Sequence, residues 1–347
     1  MKINEFLISF KYAFRPNKPL LILRLLKAFV RSTILKIPTL RYVDFAINFN
    51  CNLNCNHCFA STLNKPGRKV MLPVDYENIV TSCMHLGAVN FSFQGGEPLL
   101  NTDLFSIISS CFPSKNLISV TTNGTLLTEE LVYKLKIAGV DILTVSLDSS
   151  IPEEHDKFRN LSGAHAKTIK GIQLALNAGL NVTIGAVVTH NTLKTEGFKG
   201  LISIANNLNV ILNIILPVSA GKWSNCNTNQ LTEEDLKYIY DLTNKSKYIR
   251  TDFQANLGHY GCGAAKEILY ITPYGDVLTC PFIHISFGNI FTDSIETIRK
   301  RMLNIYDFKH YNNKCLASTD KNFIDKYLSL VNKQKDLPAN YKDIFHS

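Results

Sequence analysis

Six short apolar runs between residues 40 and 225 constrain this chain more than any other feature: Arg41–Phe49, Val89–Gln94, Leu117–Thr122, Ile142–Leu147, Val182–Thr189 and Ile211–Pro217. Each has the length and the β-branched or aromatic content of a buried strand. Helical periodicities fill the intervals, near Val74–Leu86, Leu104–Ser110, Glu129–Ala138, Ala166–Asn177 and Thr195–Leu208. A strand that returns beside its predecessor in the same direction needs a long crossover, so this alternation predicts βα units and a parallel sheet. A complete eight-unit barrel takes about 250 residues, and the roughly 180 here suit six units. The expectation is an α/β fold built on a partial (β/α)6 barrel.

After residue 225 the pattern changes. Thr232–Asn244 reads as a helix with Thr232 as its N-cap and Asp235 three residues on, the spacing of a capping box. Lys266–Ile271 and Asp276–Cys280 read as a hairpin around Thr272-Pro-Tyr-Gly275, followed by a helix near Ser294–Asn304. Three segments follow: 1–39, a basic helical segment; 40–225, the partial barrel; and 226–347, a small α+β domain with a helical tail. At 46% hydrophobic and 19% charged residues, the chain is neither a disordered tail nor a low-complexity linker.

The net charge of +9 is unevenly placed. Residues 1–44 hold nine bases and two acids and so account for +7 of it. A polyanion partner for the body is thereby disfavoured, and no basic stripe interleaved with aromatics suggests nucleic acid. Leu20–Ile37 reads as an amphipathic helix, with Arg24, Lys27 and Arg31 on one stripe and Leu21, Leu25, Ala28, Phe29 and Ser32 on another. Bases interrupt it too often for a membrane span, and no secretory signal precedes it, so a cytoplasmic chain is expected. Two readings stay open for residues 20–37: a helix that closes one end of the main domain with a solvated basic face, or one that contacts a membrane surface.

The chemistry is concentrated in Cys51-Asn-Leu-Asn-Cys55-Asn-His-Cys58, immediately after the first strand. Nine cysteines are too few for a disulfide scaffold of this length, and clustered reduced thiols point to metal. Thiolates are soft donors, suited to zinc or iron–sulfur clusters. Three on one tight loop suit three irons of a [4Fe–4S] cube and leave the fourth iron open. The rival is a Cys3His zinc site using His57, which is awkward because His57 directly precedes Cys58. Cys83 and Cys111 lack partners and read as small buried hydrophobes.

The C-x3-C-x2-C loop resembles the signature of the radical S-adenosylmethionine (SAM) enzymes, with His57 in the place of the planar residue before the third cysteine. The resemblance implies that Cys51, Cys55 and Cys58 hold a [4Fe–4S] cluster whose open iron chelates SAM. It further implies reductive cleavage of SAM to a 5′-deoxyadenosyl radical, which abstracts a substrate hydrogen. Gly95-Gly96-Glu97-Pro98, closing the second strand, looks like the family's motif for the SAM amino group, and its glycines permit close approach of backbone to ligand. Thr122 and Asn123 after the third strand, and Ser146 and Asp148 after the fourth, resemble the ribose and methionine contacts. Ordinary turn chemistry also explains Thr122, Asn123 and Ser146. Arg159 resembles the arginine that pairs with the SAM carboxylate, and a surface ion pair is its rival reading.

Cys262, followed by Gly275 and Cys280 in a C-x12-G-x4-C pattern, resembles the opening of the Twitch and SPASM auxiliary-cluster domains of that family. The cysteine-rich run that ends a full SPASM pattern is absent, which implies a Twitch-like half with one auxiliary Fe–S cluster on Cys262, Cys280 and Cys315. Ser318 stands where a further cysteine is expected, leaving Ser318, Asp320, His284, Cys226 or an open iron as the fourth position. Loss of this cluster is the alternative.

The resemblance implies a flavodoxin- or ferredoxin-type electron donor. The expected function is a radical SAM enzyme of peptide or natural-product maturation. The alternatives are a radical SAM dehydrogenase or other modifier of a sugar, lipid or cofactor precursor, and a non-catalytic Fe–S or zinc-binding protein.

Overall fold

The computed structural model describes residues 12, 15–35, 37–224, 229–251 and 261–345. Six parallel strands form its centre: β1 (Tyr42–Asn48), β2 (Asn90–Gly95), β3 (Leu117–Thr122), β4 (Ile142–Ser146), β5 (Asn181–Val187) and β6 (Ile211–Ile215). They coincide with the six expected runs to within two residues at either end. The helices between them are α2 (Pro73–His85), α3 (Leu104–Ser110), α4 (Glu129–Ile137), α5 (Pro152–Arg159), α6 (Ala164–Asn177) and α7 (Glu196–Leu208), after an N-terminal α1 (Pro19–Phe29). Of these, α5 has no counterpart among the expected helices. Its residues Pro152-Glu-Glu-His-Asp-Lys-Phe-Arg159 carry too little apolar periodicity to show as a face.

Alternation along β1 sorts its side chains. Phe45 stacks on Phe91 and Phe93 and meets Tyr76 of α2 edge-on at 5.1 Å, in the layer between sheet and helices. All four rings are buried, and each buried ring of this kind contributes about 1.5–3 kcal/mol. Asp44 has the opposite direction and is enclosed in the barrel interior beside Ser92 and Tyr270, its register partners.

The sheet does not end where six βα units end. Beyond α8 (Glu233–Lys245), β7 (Ile249–Thr251) joins β6 in parallel, and β8 (Ile268–Ile271) joins the other edge at β1. β9 (Asp276–Leu278) closes the expected hairpin with β8, and β10 (Ile285–Asn289) and β11 (Ala339–Asn340) continue outward, with α9 (Ile295–Leu303) packed on β10. Among the described residues the result is one 11-stranded sheet. β8 covers the β1 edge that an incomplete barrel would leave bare.

The N-terminal segment lies across the opposite end of the barrel from the strand C-termini. Lys18 Nζ donates to Asp141 Oδ2 at 2.5 Å and Arg15 Nε to Asp141 Oδ1 at 3.1 Å, while the same carboxylate accepts Ile118 N–H. Tyr12 OH donates to Val182 O. Leu21 and Ala28 of α1 bury against Val89 and Leu117. The expected helix over 20–37 is therefore two pieces, α1 and a π turn at Val30–Ile34. Its faces also differ from the expectation. Arg24 turns onto Lys115 O, Ala88 O and Asn116 Oδ1, satisfying polar groups under the barrel, and Phe29 is 48% exposed. No helix among the described residues is long and apolar enough to cross a membrane.

Candidate active site

Cys51, Cys55 and Cys58 leave β1 on one loop at the C-terminal end of the sheet and line a cavity of about 300 Å³. The ends of the neighbouring strands complete its wall: Gln94, Gly95 and Gly96 from β2, Thr122 and Asn123 from β3, and Ser146 from β4. Arg159 enters from α5. This is the end of a parallel α/β barrel where loops converge and ligands bind.

Burial dominates the electrostatics of these thiols. Burial pushes the Cys51 thiol up to about 11, and the neighbouring Cys55 and Cys58 add to it. Cys58 is raised by burial and by Cys55. Arg159 reaches the sulfurs most directly, with its Nη1 3.9 Å from Cys55 Sγ, and Lys222 of the same cavity acts on Cys58. Arg159 is not a surface residue: it is 8% exposed and its Nε donates to Asp148 Oδ2 at 2.6 Å. Asp148 is anchored in turn by Val187 N–H at 3.1 Å. Burial works against the Asp148 carboxylate, but Arg159, His57 and His155 together hold the group below its ordinary range.

His57 lies flat on Phe158, with ring centroids 4.1 Å apart and planes 13° apart, and Trp223 leans on the pair. Burial, reinforced by Arg159, lowers its pKa to about 3, so the ring is neutral. A ring committed to this stack is poorly placed to join Cys58 on a zinc ion.

The Gly95-Gly96-Glu97-Pro98 turn owes its composition to the protein backbone. A Cβ on Gly95 would sit 2.1 Å from Asn48 O, and one on Gly96 2.1 Å from Asn50 O, so the glycines let β2 close against the start of the cysteine loop. Only a residue without Cβ fits there, and Gly95 also has φ +136°. Glu97 turns its fully buried side chain inward, accepting Thr122 Oγ1–H at 2.7 Å, Asn123 N–H at 2.9 Å and Leu99 N–H at 3.1 Å. Pro98 is buried beside it. Both stand behind the cavity wall. Further lining residues were not among the candidates from sequence, the polar Gln94, Asn54 and Lys222 among them. Lys222 sits on a turn whose Gly221 passes so close to Cys58 O that any side chain would collide. Nothing in its local sequence marks that turn, because the contact forms across 160 residues of chain.

In the second cysteine set Cys262 and Cys280 approach one another beyond β1, whereas Cys315 lines a separate cavity with Glu233 and Thr319. Cys262 N–H donates to Asn312 O at 2.7 Å, which ties its loop to the turn before Cys315. Burial raises the Cys280 thiol, and Cys262 raises it further, so those two sulfurs lie within electrostatic reach. Cys315 O accepts the amides of Ser318, Thr319 and Asp320 in a tight turn. Ser318 spends its hydroxyl on Pro217 O at 2.7 Å, and Asp320 caps Phe323 N–H and takes the Asn312 amide. His284 keeps a buried Nε2 with no partner, and burial lowers its pKa to about 4. Cys226 lies outside the described residues. Cys83 and Cys111 are fully buried, as small hydrophobes are.

Residues 46–199 match the model of the radical SAM superfamily, and residues 262–318 match that of the SPASM iron–sulfur cluster-binding domain. The chain carries a radical SAM domain followed by a SPASM domain. The superfamily brings a [4Fe–4S] cluster and SAM, and the SPASM domain brings auxiliary Fe–S chemistry. The second domain matches SPASM even though its cysteine run is shortened to the Twitch-like set expected above. Among radical SAM relatives, an AdoMet-dependent heme synthase of Methanosarcina barkeri is 27% identical over 279 residues, covering 72% of this chain and 79% of that protein. A probable GTP 3′,8-cyclase of Methanococcus aeolicus is 35% identical over 211 residues, 58% of this chain and 64% of its own. The crystal structure of Streptococcus suis SuiB bound to precursor peptide SuiA superposes with a TM-score of 0.66 at 18% identity, covering 90% of this chain and 77% of that one.

Proposed function

We propose that this radical SAM protein is a maturase that abstracts hydrogen from a peptide substrate. The observation that carries the radical chemistry is the convergence of Cys51, Cys55, Cys58 and Arg159 on one cavity at the strand C-termini. The donor set fits a cubane with one open iron: three thiols on one wall, a guanidinium against one sulfur, and no fourth thiol among the described residues that line the cavity. When bound there, the cluster and SAM supply a 5′-deoxyadenosyl radical on reduction.

The chain's own residues bind and orient. Cys51, Cys55 and Cys58 ligate the cluster. Arg159, aimed by Asp148, offers a planar fork to the SAM carboxylate. Backbone at Gly95 and Gly96 lines the path of the amino group, and Glu97 positions Thr122 and Asn123 from behind. Thr122, Asn123 and Ser146 present hydroxyl and amide groups for the ribose and methionine portions. His57, neutral and flat, gives the adenine an apolar surface. Cys262, Cys280 and Cys315 hold the auxiliary cluster, with His284 carrying the one uncommitted donor among the described candidates for its fourth position. The donor of electrons is a reduced flavodoxin or ferredoxin.

The peptide reading is supported by the SuiB fold across nine-tenths of this chain, since that enzyme is solved with a precursor peptide. The sequence relatives favour a second reading, a modifier of a cofactor precursor, because their names specify heme synthase and GTP cyclase. Anaerobic incubation with SAM, dithionite and a library of short peptides, alongside porphyrin and nucleotide substrates, separates the two. Loss of two hydrogens from one peptide by mass spectrometry supports the maturase. Turnover of a porphyrin or nucleotide and of no peptide sinks it. Cys280→Ala is expected to spare SAM cleavage and stop product formation.

A further inference from the structure

Independently of the substrate, α1 and its π turn pose a separate physical problem. The inner face of α1, Leu21 and Ala28 with Leu25 at the edge, is already spent on the barrel. Yet the outer face is apolar too: Leu23 is 63% exposed, Leu26 58%, Phe29 48%, Ile34 65% and Leu35 57%. Eight of the seventeen large hydrophobics exposed among the described residues fall between Leu20 and Ile37. Such density is far above the scattered single residues of an ordinary surface, and a helix apolar on both faces is expected to be covered on both.

The ridge is held firmly in place. Lys18, Arg15 and Arg24 clamp the segment to Asp141 and to barrel carbonyls, so its outer face does not swing in to hide itself. The ridge is also framed by positive charge. Lys27 and Lys115 are exposed beside it, Arg31 is partly exposed on the same segment, and Lys136 is exposed further along the same end of the barrel. A second copy docked face to face would bring these cations together, which costs free energy. An anionic lipid surface is complementary in both respects: headgroups meet the lysines while the acyl boundary covers the leucines.

We infer that α1 and residues 30–35 form an interfacial anchor that seats the base of the barrel on an anionic membrane. The cavity of Cys51, Cys55 and Cys58 opens at the opposite strand ends, so the anchored protein presents its site away from the lipid.

Flotation of the anaerobically prepared full chain with vesicles tests this. The protein is expected to float with vesicles of phosphatidylcholine containing about one-third phosphatidylglycerol and to stay below with phosphatidylcholine alone. High salt is expected to weaken the binding. The double variant Leu23→Glu/Leu26→Glu changes two solvent-exposed side chains and is expected to keep its iron and its SAM cleavage while losing at least about tenfold in vesicle affinity. Equal flotation of the double variant, or no flotation of the wild type on anionic vesicles, overturns the inference. So does light scattering that shows a lipid-free dimer which the double variant dissociates, since a second copy would then be the occupant.

Discussion

Arg159 joins the end of β4 to the cysteine loop: its Nε donates to Asp148 at 2.6 Å while its Nη1 reaches toward the Cys55 sulfur at 3.9 Å. Both partners are buried, so the pair is held by geometry and resists screening by salt. Arg159→Lys keeps the charge and loses the fork, and KM for SAM is expected to rise about tenfold with iron content unchanged. Arg159→Ala leaves Asp148 buried and unpaired and is expected to cost about 3–5 kcal/mol of stability. An unchanged KM in the lysine variant contradicts the SAM-facing role.

Glu97 acts through other residues. Its carboxylate accepts three hydrogens, from Thr122, Asn123 and Leu99, and so staples the second strand end to the third. In Glu97→Gln one oxygen becomes an amide donor facing an existing N–H donor. A loss of about 1–3 kcal/mol in urea unfolding is expected, with weaker SAM binding by equilibrium dialysis. Wild-type behaviour in both measurements would show that the staple is dispensable.

Asp141 gathers Lys18, Arg15 and the Ile118 amide on one buried carboxylate. Asp141→Ala strands the Lys18 ammonium, which is 7% exposed at its side chain, and is expected to destabilise by about 3–5 kcal/mol. Limited proteolysis is expected to cut within residues 12–35 of the variant before it cuts the barrel. Simultaneous loss of both regions contradicts a clamp that holds only the segment.

Asp44, enclosed in the barrel, is pushed up to about 7 by burial, which Tyr42, Ser92 and Gln94 offset only in part. A carboxyl whose pKa is higher folded than unfolded binds its proton more tightly in the native state. Its contribution is present at low pH and is lost as pH rises through 7. Between pH 6 and 8 the wild type is therefore expected to lose about 1 kcal/mol relative to Asp44→Asn. Parallel pH dependence of the two proteins in urea melts contradicts an enclosed, protonated Asp44.

The strands and most helices were legible because their apolar periodicity is local. The signal failed where local pattern is absent. α5 is too polar to show a face, β7 is three residues long, and β11 is two. The cysteine loop, Gly95, Gly96 and the strand-end residues were readable as a cavity wall because a parallel barrel puts every strand C-terminus at one end. The division of labour within that wall was not readable. Glu97 and Asp148 face their neighbours, and Lys222 arrives from a distant turn. At the N-terminus the periodicity marked an amphipathic helix, but it could not say that Arg24 would turn inward onto barrel carbonyls and leave leucines outside.

Anaerobic reconstitution with iron and sulfide, followed by SAM and dithionite, tests the central claim most directly. The account predicts about eight irons per chain, from two four-iron cubes, and 5′-deoxyadenosine that Cys55→Ala does not form. A protein that holds zinc and leaves SAM intact would contradict it.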